Sequence, residues 1–333
     1  MLSVSPRPQG KASRLPRRKR VTLIVACRCE EGIAIHADTQ ETVPIYRGLD
    51  PASGTDVWID YRKTVQKITP QPMGKYKVVL AGTGNAGLIE SFGECLKRRL
   101  TGEVGDSMSR FVAVFEDELG EFMQHDVQHC QDSDKSMKFL VSAHSSASRQ
   151  YDAWVSHNIR LKSVDTFELV GWDEPLYAEI ATRFYAPHMT MQQAVLAGIY
   201  LLAIAEATSN YVRSPFSIIV ITPNGMWPEK PGRISSMADR LRDYEDQVYE
   251  LFLACADTSI TPDQLSEKLN AFAQYASEVH LNQIKSAAEE IIAMGRKQME
   301  HPYLTIPDGA RFYSTGKGDT IVSFGNENEP NNE

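Results

Sequence analysis

No apolar run in this 333-residue chain approaches the about 20 residues that a membrane-crossing helix requires. The longest, Ala194–Ala205, is far too short, so no membrane association is expected. The first twenty residues contain no acid and no hydrophobic core of the kind that marks a secretory signal. They hold Arg7, Lys11, Arg14, Arg17, Arg18, Lys19 and Arg20 and so carry +7, which leaves −15 on residues 21–333 of a chain whose net charge is −8. An acidic body argues against a nucleic-acid groove. The basic arm itself is compatible with a propeptide, an organelle-type presequence, a nucleic-acid-binding arm, an artefact of start-codon choice or a disordered extension. Cysteine is scarce as well. Five residues, an odd number without framework spacing, exclude a disulfide scaffold and suit a reducing cytoplasm, the expected location. Cys27 and Cys29 alternate with Arg28 on one predicted strand and read as core residues.

What is present is enough apolar material, 42%, for a large core, with length for one domain and an appendage. Near the start, Val21–Cys29 reads as an apolar strand that runs into a charged turn closed by Gly32. Ile33–Gln40 reads as the return strand, which brings Asp38 back toward Thr22. A third extended segment, Val65–Pro70, can deliver the amine of Lys67 to the same place.

With these three segments the chain resembles the proteasome β-type subunits and their bacterial relatives, within the N-terminal nucleophile hydrolases. The resemblance rests on Thr22 opening the first strand, Gly32 ten residues on, Ala37-Asp38-Thr39, Lys67-Ile68-Thr69-Pro70, and the Ala-Gly segment Ala81–Gly87 entering a helix, and it covers roughly residues 21–224. It implies an α+β fold, a four-layer αββα sandwich. It also implies a threonine-type peptidase or amidohydrolase in which Thr22 is the nucleophile once the leader is removed, and Asp38 and Lys67 tune it.

The chemistry has its own rationale. A hydroxyl needs a base, and an α-amine titrates near neutrality, so a threonine at a free N-terminus carries its own. A lysine close to the hydroxyl lowers its proton affinity, and a carboxylate holds the ammonium in place. Backbone N–H groups at Gly82 and Thr83 are candidates to receive the oxyanion. By the resemblance, Thr42 offers backbone hydrogen bonds to an extended substrate.

The chain also departs from the family pattern. The serine-bearing stretch after the middle strands reads Val170-Gly171-Trp172-Asp173 here, and no aspartate stands in Ala207–Pro215, where Ser209 or Asn210 is the candidate stand-in. Autolytic release normally uses glycine before the threonine, and here β-branched Val21 holds that position. His125 and His129 sit at helical i, i+4 spacing, as in a zinc helix, but no third ligand is identifiable and a solvated helix end is the expectation. No metal or other cofactor is expected.

Periodicity predicts helices at Asn85–Leu100 and Ser107–Cys130, strands at Met137–Ala143, Tyr151–Ser156 and Val164–Val170, helices at Leu176–Phe184 and Met191–Ser209, and a buried strand at Phe216–Thr222. Val43–Lys63 reads as a long loop, either a substrate flap or inert surface. Beyond Pro223, helices are expected at Ser235–Ala256 and Pro262–Met299.

The expected organisation is a basic extension or propeptide at 1–21, a hydrolase domain at 22–224, a C-terminal helical extension at 225–326 and a disordered tail at 327–333. Phe111, Phe115 and Phe122 supply more aromatic bulk than one sheet face is expected to take, which predicts a homo-oligomer, a ring or stacked rings. The expected partners are further copies of the chain, a peptide or protein substrate, and an unfoldase or other protein. The alternative is a catalytically inactive scaffold of the same fold.

Overall fold

The alternating and β-branched segments around Thr22 form the expected hairpin. Strand β1 (Leu23–Cys29) turns through Glu30-Glu31 into β2 (Gly32–Asp38), paired antiparallel in the register Ile24↔Ala37 to Cys29↔Gly32. The computed structural model describes residues 22–49, 56–103, 105–130, 135–171, 173–209, 211–280, 310–315 and 319–324, and for 40–49, 56–64, 310–315 and 319–324 the backbone alone. The expectations for 1–21, Trp172, Asn210, residues 281–299 and the tail therefore lie outside the described residues.

The chain is α+β, with two five-stranded antiparallel sheets and, among the described residues, six helices. After β2 come β3 (Gln40–Leu49), β4 (Asp56–Thr64), β5 (Gln71–Met73) and β6 (Tyr76–Gly84). Helices α1 (Ala86–Thr101) and α2 (Met108–Phe122) follow, then β7 (Met137–Ser145), β8 (Gln150–His157), β9 (Arg160–Ser163) and β10 (Phe167–Gly171). Next are α3 (Glu174–Ala181), α4 (Met191–Thr208), β11 (Phe216–Thr222) and β12 (Gly225–Pro228). One sheet runs β10-β1-β2-β11-β12 and the other β5-β6-β7-β8-β9. The predicted strand Val164–Val170 is therefore shorter, and it joins the first sheet beside β1.

Side-chain alternation divides the core. Ile24, Ala26 and Ile35 of the first sheet share one buried cluster with Val79, Leu140 and Val155 of the second. On the other face of β1 and β2 lies α4, started by a capping box between Thr190 and Gln193. Nine of its residues are buried, among them Ile199, Leu201 and Leu202, as on the inward side of an apolar helix. It extends the apolar run to Met191–Thr208, long and apolar enough to cross a membrane by length and composition, yet half of it is buried inside the protein.

Helices α1 and α2 cover the second sheet. The helix predicted over Ser107–Cys130 stays α-helical only to Phe122, and Met123–Val127 is a π turn. The oligomer argument drawn from its aromatics is corrected: Phe111, Phe115 and Phe122 are at most 2% exposed within the chain itself. Phe92 meets Phe115 and Phe122 edge-on, Phe115 meets Phe139 edge-on, and Phe111 stacks on Trp154. Such pairs add about 0.5–1.5 kcal/mol each beyond the area they bury. A second ring from β7 or β8 is what takes up the bulk that one helix face presents.

Two further expectations change. Val43–Lys63 is no loop, because β3 and β4 pair as an antiparallel ribbon with an irregularity between Tyr46 and Gly48. The C-terminal part is not helical throughout. After α5 (Pro231–Ala256) and α6 (residues 262–280), strands β13 (Ala310–Thr315) and β14 (Asp319–Phe324) form a hairpin. Thr261 caps α6: its N–H donates to Gln264 Oε1 at 2.9 Å and its hydroxyl accepts from Gln264 N–H at 3.3 Å. The chain divides into two compact units at residues 239/240, within α5.

Candidate active site

Three backbone segments converge on Thr22. It immediately precedes β1, and the β1–β2 pairing returns Asp38 to its side, where Leu23 N–H donates to Asp38 Oδ1 at 3.1 Å. The segment 65–70 is extended but unpaired as a strand. Val65 N–H donates to Thr39 O at 2.7 Å, and Ile68 is fully buried in the inter-sheet core, which leaves Lys67 directed at the end of β2.

The side chains form a closed triangle. Thr22 Oγ1 donates to Asp38 Oδ1 at 2.6 Å, and Lys67 Nζ donates to Thr22 Oγ1 at 2.5 Å and to Asp38 Oδ2 at 2.7 Å. Thr22 and Asp38 have no exposure, and the Lys67 side chain is 7% exposed. Burial matters because an ion pair is far stronger away from water, and removing one partner strands the other's charge. Chemically, the hydroxyl's oxygen faces an ammonium, whose charge favours the alkoxide, while its proton is held by a carboxylate, which favours the neutral hydroxyl.

Neighbouring residues enforce this packing. Gly171 pairs with Leu23 at the end of β10 and has φ +138°, and a Cβ there would stand 1.8 Å from Thr22 O. Only glycine combines that backbone angle with that approach. On the other side, Phe216 of β11 pairs with Asp38, and Thr39 Oγ1 donates to Pro215 O at 2.6 Å. The loop leading into β11 is held by Arg213, whose guanidinium donates to the carbonyls of Glu206, Ser209 and Val212, and by Glu206, whose carboxylate accepts from Ser214 N–H and Oγ. A cation over the last carbonyls of α4 satisfies groups the helix leaves open. Arg213 was not singled out in the sequence, although a basic residue just past a helix end is the available signal.

The remaining expected residues are placed unevenly. Gly82 and Lys67 line one cavity of about 540 Å³, and Thr83 follows on β6, paired with Lys138. Thr42 lies on β3 opposite Arg62, its side chain outside the described residues. Ser209 is not brought to the triangle: its hydroxyl accepts from Tyr211 N–H at 3.0 Å, and among the described residues it bonds to none of Thr22, Asp38 or Lys67. Trp172 and Asn210 lie outside the described residues.

Other reactive side chains are quiet. Burial pushes the Cys27 thiol up to about 12, with Cys29 adding to it, so the thiolate a nucleophile needs is suppressed. Burial lowers His36 to about 4, and its Nε2 lies 3.0 Å from Val195 O while Nδ1 has no hydrogen-bond partner among the described residues. Among the described residues no group of three His, Cys, Asp or Glu is placed to hold a metal, and His125 and His129 are exposed.

No family model matches the chain, and no curated protein does. Solved structures do. Anbu (ancestral beta-subunit) from Yersinia bercovieri matches at TM-score 0.53 and 13% identity, over 69% of this chain and 97% of that one. Anbu from Hyphomicrobium sp. strain MC1 matches at 0.50 and 15%, over 68% and 97%. The Anbu complex from Pseudomonas aeruginosa, a helical assembly, matches at 0.50 and 16%, over 69% and 95%. Identities this low show the fold alone. The assignment made from sequence to the proteasome β-type family is therefore corrected: the likeness is a distant one of fold, to the proteasome-like protein Anbu, and no match at the level of sequence supports membership.

Proposed function

We propose that the chain is a threonine-type amidohydrolase acting on peptide bonds, with Thr22 as nucleophile after removal of residues 1–21. One observation carries this: Lys67 Nζ stands 2.5 Å from Thr22 Oγ1, and Asp38 bridges both. The Lys67 charge stabilises the developing alkoxide, and Asp38 fixes the ammonium. In the intact chain the Thr22 nitrogen is an amide, so the base is absent. Release at Val21–Thr22, by autolysis or by another protease, turns it into an amine that takes the hydroxyl's proton. Oγ1 then adds to the scissile carbonyl, with backbone N–H groups around Gly82 and Thr83 as candidates to receive the oxyanion. The leaving amine takes the proton from the Thr22 amine, and water, deprotonated by the same amine, hydrolyses the acyl-enzyme.

The layering implied by the contacts, α1 and α2 outside one sheet and α4 outside the other, supports an αββα sandwich around this site. The helical assembly of the Anbu complex supports a homo-oligomeric form.

A second role, as an inactive scaffold, is favoured by the complete burial of Thr22 and by the placement of Ser209 away from it. Intact mass and threonine-directed labelling separate the two. The amidohydrolase predicts a species beginning at Thr22 that gains one adduct from a peptide epoxyketone, and no adduct in Thr22→Ala. An unprocessed, unlabelled chain in material that hydrolyses peptides would reject Thr22 as nucleophile.

A further inference from the structure

The cavity that Lys67 and Gly82 share has walls of two kinds. Met73, Leu80 and Ile89 give it an apolar side, while helix α1 contributes Glu90 and Glu94, which are exposed and one turn apart on a single face. Like charges at i, i+4 destabilise an isolated helix. Neither carboxylate lies in the first turn, where the helix dipole would favour it. Among the described residues no hydrogen bond or ion pair is made by the Glu94 carboxylate. Gly93 lies between them. A Cβ there would meet Leu80 Cδ2 at 3.4 Å, an ordinary contact, so packing does not demand the glycine and its effect is to keep the space open. Glycine in a helix interior costs stability relative to alanine.

We propose that this cavity takes the side chain of lysine or arginine from the residue whose carbonyl Thr22 attacks, and that Glu94 is the specificity-determining residue. The proposal rests on Thr22 as nucleophile. Lys67 lines the cavity and lies 2.5 Å from Thr22 Oγ1, so a substrate residue held at Thr22 has this space beside it. A long cationic side chain fits both walls: its methylene stem lies along Met73, Leu80 and Ile89, and its head reaches the carboxylates at the rim. An arginine head forms paired hydrogen bonds to the Glu94 carboxylate. The Lys67 charge does not compete, because Asp38 already holds it.

Binding of Nα-acetyl-arginine methylamide and Nα-acetyl-norleucine methylamide to the full chain, followed by calorimetry, tests this apart from catalysis. The arginine probe is expected to bind about tenfold or more tighter, as a charge-assisted contact implies. Glu94→Gln should erase that preference while leaving the norleucine affinity unchanged, and Glu94→Lys should reverse it. Equal affinities in the wild type, or a preference that survives Glu94→Gln, overturn the proposal. Hydrolysis of arginyl and leucyl anilides is measured in parallel. Glu94-dependent arginine binding without any hydrolysis upholds the cation pocket and removes the catalytic role of Thr22. Hydrolysis indifferent to arginine removes the pocket and upholds the nucleophile.

Discussion

At the scale of single residues, the buried triangle makes stability and chemistry inseparable at Lys67. With Asp38 fully buried, Lys67→Ala leaves a carboxylate without its cation, a loss of about 3–5 kcal/mol. Thr22→Ala removes one hydroxyl and leaves the ion pair, so urea unfolding should show a much smaller loss, about 1–2 kcal/mol. Equal losses would mean that water reaches Asp38. His36 sets a pH dependence. Its folded pKa, near 4, lies below the unfolded value of 6.5, so the unfolded chain binds the proton first. Stability is complete above about pH 6.5 and declines as the pH falls toward 4, by about 3 kcal/mol in all. Urea midpoints between pH 7 and 4.5 should follow that decline, and they should flatten in His36→Ala.

At the scale of elements, α4 and β2 approach most tightly where Gly198 faces His36. A Cβ on Gly198 would lie 2.3–2.4 Å from the His36 ring, so the helix approaches the strand only because residue 198 is glycine. Gly198→Ala gains about 1 kcal/mol of helix propensity but forces ring or helix to move, and the net expectation is a loss of about 1–3 kcal/mol. Thermal unfolding of Gly198→Ala combined with His36→Ala should recover most of the loss seen for Gly198→Ala alone, measured against His36→Ala. Simple addition of the two losses would place the strain elsewhere. The elements themselves were largely visible as patterns. The helix at Met191 and the strand at Phe216 were legible because their periodicity and caps are local. The ribbon Gln40–Thr64 was not, since the turn residues Pro44, Gly48 and Gly54 that suggest a loop also suit a bulged two-stranded pair.

For the whole molecule, the aromatic bulk of α2 does not argue for an interface, because the chain buries those rings itself. The homo-oligomer is part of the proposed function, and light scattering tests it: a mass several times the 37.3 kDa of one chain is the expected result. A constant single-chain mass across micromolar concentrations would contradict it.

By itself the sequence determined what depends on spacing: a hairpin of period two about Glu30-Glu31 returns Asp38 to Thr22 whatever surrounds it, and a helix begins where Asn85 caps it. Tertiary structure decided what depends on contacts between distant segments. Ile68 had to be buried between the sheets for Lys67 to reach Thr22, and Arg213 had to fold back over α4 for the loop beside Asp38 to take its shape. It also drew Ser209 into a local turn. Sequence position alone could not show this, because a hydroxyl bonds to whichever donor the fold brings within about 3 Å.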